Sequence, residues 1–137
     1  MWWIYALLSA VFAALTAIFA KIGIKNVDTN LATAIRTVVI LLVAWGIVIF
    51  KGSARQAHEL TQQNWVFLLL SGCTTGLSWI FYFKALQLGE VSQVAPVDKS
   101  SVAMAIILSA IFLGEPLTLK TVLGAGLIIG GTIVLIL

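Results

Sequence analysis

An acid and a base, Asp98 and Lys99, follow Pro96 in the stretch VAPVDKSSVAMAIIL, whose other residues are apolar or small. A second base, Arg36, stands in LATAIRTVVILLVAWGIVIF with Thr33 and Thr37 beside it at helical spacing. An ionisable side chain at the centre of a membrane helix costs about 2.5–3.5 kcal/mol on insertion scales, so such groups face protein or a wet cavity and find partners. The chemistry these residues allow is an Arg36–Asp98 ion pair, proton exchange at Asp98, or capture of a charged solute by Arg36 or Lys99. Ser101 lies three residues beyond Asp98 on the same helical side, followed by Ala105 and Ser109, which marks that side as packed or wet. Lys99 is about 100° further round and points to other partners, outward or on another subunit. Trp79 and Tyr82, in the cluster Trp79, Phe81, Tyr82 and Phe83, serve either as lipid-facing packing or as a wall of a substrate cavity. Lys21 closes the first apolar run, where its stem can snorkel to the headgroups or add to a basic layer.

The elements that position these residues follow from composition. Of 137 residues, 61% are hydrophobic and 9% charged, with a mean hydropathy of +1.12, too few charges for the surface of a soluble domain. A span takes about 20 apolar residues, and five such runs are expected near 2–22, 31–50, 65–86, 91–113 and 117–137. They consume nearly all of the chain, which reads as one transmembrane domain over residues 1–137. The fold class is all-α membrane protein. The opening run lacks a basic region and a cleavage site, so it is expected to be retained as the first span. The second and fourth spans start on the same face of the membrane. At about 1.5 Å per residue, Arg36 and Asp98 each lie roughly 10 Å in from that face. They share one layer.

Two plainer readings stand beside the functional one. Arg36 and Asp98 form a structural bridge, or Asp98 and Ser100 cap a helix that begins there. In the second case residues 101–113 would reach only about 20 Å, short of a bilayer core. Pro96 removes a backbone donor and can kink the fourth span, a feature tolerated at membrane depth where a helix lines a cavity. Gly72 with Gly76, and Gly126 with Gly130, form two G-x-x-x-G pairs suited to close helix packing. The small and hydroxyl residues around Cys73 place the third span inside a bundle, with a packing role for the cysteine itself. Five spans put the termini on opposite sides. The loop charges then tie, with Lys21, Lys25 and Lys84 on one face and Lys51, Arg55 and Lys120 on the other. Orientation follows an excess of Lys and Arg on the cytoplasmic side, so a tie permits both orientations of one polypeptide.

From Ala85 the chain runs ALQLGEVSQVAPVDKSSVAMAIILSAIFLGEPLTLKTVLGAGLIIGGTIVLIL. This resembles the C-terminal half of an EamA domain of the drug/metabolite transporter superfamily, on Ala85-Leu86, Pro96, Leu113-Gly114-Glu115 and the glycines from Gly124 to Gly131. Lys21 and Arg36 are compatible with the first half. The resemblance implies half of a ten-helix inverted-repeat transporter with a substrate cavity between the halves. A lone half would need a second copy in inverted orientation, an antiparallel dual-topology homodimer, or a paralogous half. Asp98-Lys99 departs from the apolar or small residues usual after the proline in ten-helix members, so their substrate specificity is not carried over.

The expected function is a secondary transporter, an exporter of a small metabolite or amphipathic compound by alternating access, proton-coupled through Asp98. The basic layer favours anionic or zwitterionic solutes. The alternatives are a lipid-carrier flippase, an exporter like those of the small multidrug resistance family, whose first-helix glutamate has no counterpart here, or a non-transporting membrane scaffold. The expected partners are membrane lipids, a second copy and a small-molecule substrate, without nucleic acid, in the plasma (inner) membrane of a prokaryote. One loop histidine, His58, one cysteine and no phosphate-binding glycine loop argue against an enzyme, a metal site or a cofactor.

Overall fold

In lipid a backbone donor or acceptor has no water to turn to, so each long apolar run must close its own hydrogen bonds as a helix. The computed structural model describes residues 1–137 and contains helices without strands. The helices are α1 (Trp2–Gly23), α2 (Thr29–Phe50), α3 (Gln62–Leu88), α4 (Val91–Lys99), α5 (Ser101–Phe112) and α6 (Leu119–Ile136). With α4 and α5 taken as one span, five segments are long and apolar enough to cross a membrane. This is the expected architecture.

The boundaries differ from the sequence expectation for local reasons. Asp28 starts α2 two residues early, its carboxylate accepting from the N–H groups of Asn30 and Leu31, which are among the donors a helix start leaves unpaired. Thr61 does the same for α3 through Asn64 N–H, and Thr118 for α6 through Thr121 N–H. The hydrophilic connection between α2 and α3 is partly ordered as a short 3-10 helix, Ser53–Glu59. After α5 the chain reverses at Gly114, whose φ of 68° is open to glycine at little cost. Glu115 N–H then reaches back to the Ser109 carbonyl. Leu113-Gly114-Glu115 is therefore a helix stop.

The fourth span is interrupted at Ser100, between α4 and α5. Ser100 leaves the helix in a tight turn, its N–H shared between the carbonyls of Pro96 at 3.2 Å and Val97 at 3.0 Å. Its hydroxyl donates to Val97 O at 2.6 Å. The helical phase drawn from Asp98 through Ser101, Ala105 and Ser109 does not survive this turn. The inward side of α5 carries Ala103, Ile106 and Ala110, with Ser109 at its margin, while Ser101 and Ala105 are exposed. On α4, Asp98 shares a half-buried side with Val91, Val94 and Ala95.

The chain divides into two compact units, Met1–Phe19 with Leu88–Leu137, and Ala20–Gln87. In the first, α6 packs against both α4 and α5, and Thr132 of α6 is buried. In the second, the buried residues are Ala20, Ile24, Thr29, Thr33, Phe83 and Leu86. All six lie close to the α1–α2 turn or the C-terminal end of α3. The stretch from Ser71 to Thr75 is exposed instead, Cys73 included. Expecting the middle of α3 inside a bundle was incorrect for the isolated chain, because α3 packs through the large residues of its last turns.

Candidate functional site

In the unit Ala20–Gln87, two side chains tie the end of α3 to the α1–α2 turn. Lys21 donates from Nζ to the Leu86 carbonyl, and Gln87 donates from Nε2 to Val27 O at 2.9 Å and Ile24 O at 3.4 Å. The last carbonyls of a helix lack intrahelical partners and carry its negative dipole end, so a lysine ammonium suits Leu86 O. Lys21, expected among solute-binding residues, is thus engaged with protein backbone. Gln87 was not singled out from sequence, because a lone amide at a helix end carries no periodic signal.

Above this tie sits Arg36, half-buried on α2. Its Cζ lies 4.5 Å from the centroid of the Phe83 ring and 5.5 Å from that of Trp79. Both distances are within cation–π range, where an aromatic face stabilises a guanidinium, the more so when desolvated. Trp79 and Phe83 are four residues apart on α3 and so share one face. The Tyr82 ring lies 5.9 Å from that of Phe83. Phe81 points outward and is exposed. The aromatic cluster therefore divides, with Trp79 and Phe83 against Arg36, Tyr82 beside Phe83, and Phe81 exposed. Thr33 and Thr37, the polar strip seen in sequence, donate their hydroxyls to the carbonyls of Thr29 and Thr33 at 2.7 and 2.8 Å. They satisfy backbone one turn earlier and leave the guanidinium alone.

The unit that holds Leu88–Leu137 contains the other charged pair. Lys99 folds back onto Asp98, Nζ to Oδ2 at 3.3 Å, with Lys99 the more exposed partner. Adjacent helical residues do not ordinarily face each other. The long lysine stem at the last position of α4 makes the contact while Lys99 stays exposed. Close by, Thr132 Oγ1 lies 2.8 Å from Ile128 O on its own helix and 3.2 Å from Pro96 O across the interface. A hydroxyl has one proton, so Thr132 can serve either carbonyl. Sequence reasoning missed Thr132 because threonine in a membrane helix ordinarily bonds to its own i−4 carbonyl.

Arg36 and Asp98 fall in separate units, each with a partner of its own. The four glycines proposed for packing, Gly72, Gly76, Gly126 and Gly130, have open space where a Cβ would stand. No group of three or more His, Cys, Asp or Glu side chains is arranged to hold a metal ion.

Comparison with known proteins places these features in context. The family model described as "EamA-like transporter family" matches residues 1–137. The chain is 48% identical over 134 residues to a protein of Sinorhizobium sp named "Uncharacterized transporter in cobO 3'region", covering 98% of this chain and 95% of that one. It is 27% identical over 129 residues to "Uncharacterized transporter YxxF" of Bacillus subtilis (strain 168), covering 93% of this chain but 40% of that one. No solved structure matches.

Proposed function

We propose, from the premise that the chain belongs to the EamA-like transporter family and is a multi-pass membrane transporter, that it is a secondary exporter of a small metabolite or amphipathic compound. Transport proceeds by alternating access, in an antiparallel dimer with a second copy of itself, in the inner membrane of a prokaryote. The observation that carries the mechanism is the interruption of the fourth span at Ser100, directly beside Asp98 and Lys99. Discontinuous helices at membrane depth occur where backbone lines a solute path, and their loosened turns absorb rocking of one bundle on another. In this reading Asp98 alternates between Lys99 and a proton, and the exchange couples solute movement to the proton gradient.

Support for the dimer comes from two directions. The Bacillus subtilis relative is more than twice as long as the stretch it shares with this chain, long enough for a second unit of this size. The loop charges are balanced across the membrane, and the glycine faces of α3 and α6 are uncovered in the single chain, where small residues would admit a helix from another copy. Flux into proteoliposomes with and without an imposed pH gradient tests the coupling. Asp98→Asn is expected to remove the gradient-driven component, and gradient-driven flux unchanged in that variant would refute the proton role.

A further inference from the structure

Arg36 carries a charge that the surrounding protein attracts but does not neutralise. The faces of Phe83, fully buried, and Trp79 hold the guanidinium, yet an aromatic face offers no lone pair to its five N–H donors. Within residues 20–87 the acids are Asp28 and Glu59. Asp28 is committed to the first N–H groups of α2, about 12 Å of helix below Arg36 at 1.5 Å per residue. Glu59 ends the 3-10 helix in the α2–α3 connection. The flanking threonine hydroxyls donate to backbone, and the unit forms no hydrogen bond to the guanidinium.

We infer that Arg36 is the anchor for the cargo's own charge, and that the cargo is an organic monocarboxylate with an apolar body. This deepens the transport reading and rests on it. A carboxylate matches the guanidinium edge in a bidentate pair, which a lysine ammonium cannot reproduce. One negative charge balances the one positive charge here, whereas a doubly charged phosphate would leave an excess. Trp79, only half-buried, supplies apolar wall for the rest of the molecule. A cationic or neutral amphipath gains nothing from this arrangement.

The test uses the full chain in phosphatidylcholine nanodiscs, titrated with acetate, phenylacetate and octanoate and with the neutral isostere phenylacetamide, and read by calorimetry. At least one carboxylate is expected to bind saturably, with phenylacetamide at least tenfold weaker than phenylacetate. Arg36→Gln is expected to weaken carboxylate binding more than tenfold, and Arg36→Lys to retain part of it. Binding by none of the three carboxylates, equal binding of acid and amide, or unchanged binding in Arg36→Gln would overturn the inference. If Arg36→Gln does not fold, Arg36→Lys and the comparison of acid with amide on the unaltered chain still decide. Stabilisation by phosphatidylglycerol that depends on Arg36, without carboxylate binding, would assign the site to a lipid phosphate and likewise overturn it. Proteoliposome flux of phenethylamine with no carboxylate binding would sink the inference while leaving the transport reading intact.

Discussion

Arg36 and Lys21 are both basic residues of the unit Ala20–Gln87, and the structure gives them opposite work. Lys21 is spent on the Leu86 carbonyl, while Arg36 keeps its N–H groups unspent between two rings. A hydrogen bond from a charged donor contributes roughly 1.5–3 kcal/mol. Lys21→Met is therefore expected to lower unfolding stability by about that amount in detergent, with solute affinity unchanged. Weakened solute binding at undiminished stability would return Lys21 to the binding residues. The positions of Arg36, Thr33 and Thr37 on one strip were legible from spacing alone. The rings that meet Arg36 were only half legible. A cluster of four aromatics does not say which face of α3 is turned inward, and the discriminating fact is burial of Phe83 and Leu86, three residues apart.

The five spans were readable because lipid enforces length and apolarity on every one of them, and the caps at Asp28 and Thr118 only moved their edges. The break in the fourth span was not. Pro96 flagged a disturbance, but the interruption falls at Ser100, four residues later, where the Pro96 carbonyl faces both Ser100 N–H and the Thr132 hydroxyl at 3.2 Å. A cross-helix contact of that kind has no signature in a single segment. Thr132→Val should remove it at a cost of about 0.5–1.5 kcal/mol, seen as a lower midpoint in thermal unfolding. An unchanged midpoint would show that the hydroxyl serves Ile128 O alone. Gly114→Ala should also destabilise, by about 1–2 kcal/mol, because a side chain is strained at positive φ. Space is not the obstacle there, since nothing lies within 4 Å of the added atom.

At the scale of the molecule, the glycine faces and Cys73 were expected to be covered, and in the single chain they are not. The physical reason is that α3 and α6 pack through Phe83, Leu86 and Thr132, which leaves their small-residue sides for another body. If that body is an inverted second copy, tags on both termini will each be reached from both sides of the membrane. A single fixed orientation would refute the antiparallel dimer and leave a paralogous half as the partner. Gly76→Ile, with open space around it within the chain, should preserve the fold of one copy and shift cross-linked dimer to monomer.

The most direct measurement is uptake of radiolabelled phenylacetate into proteoliposomes carrying the unaltered chain, Arg36→Gln or Asp98→Asn, with and without a pH gradient. The expected result is saturable uptake that Arg36→Gln abolishes at low solute concentration, and a gradient response that Asp98→Asn removes. Uptake equal in all three proteins, or no greater than in empty liposomes, would contradict it.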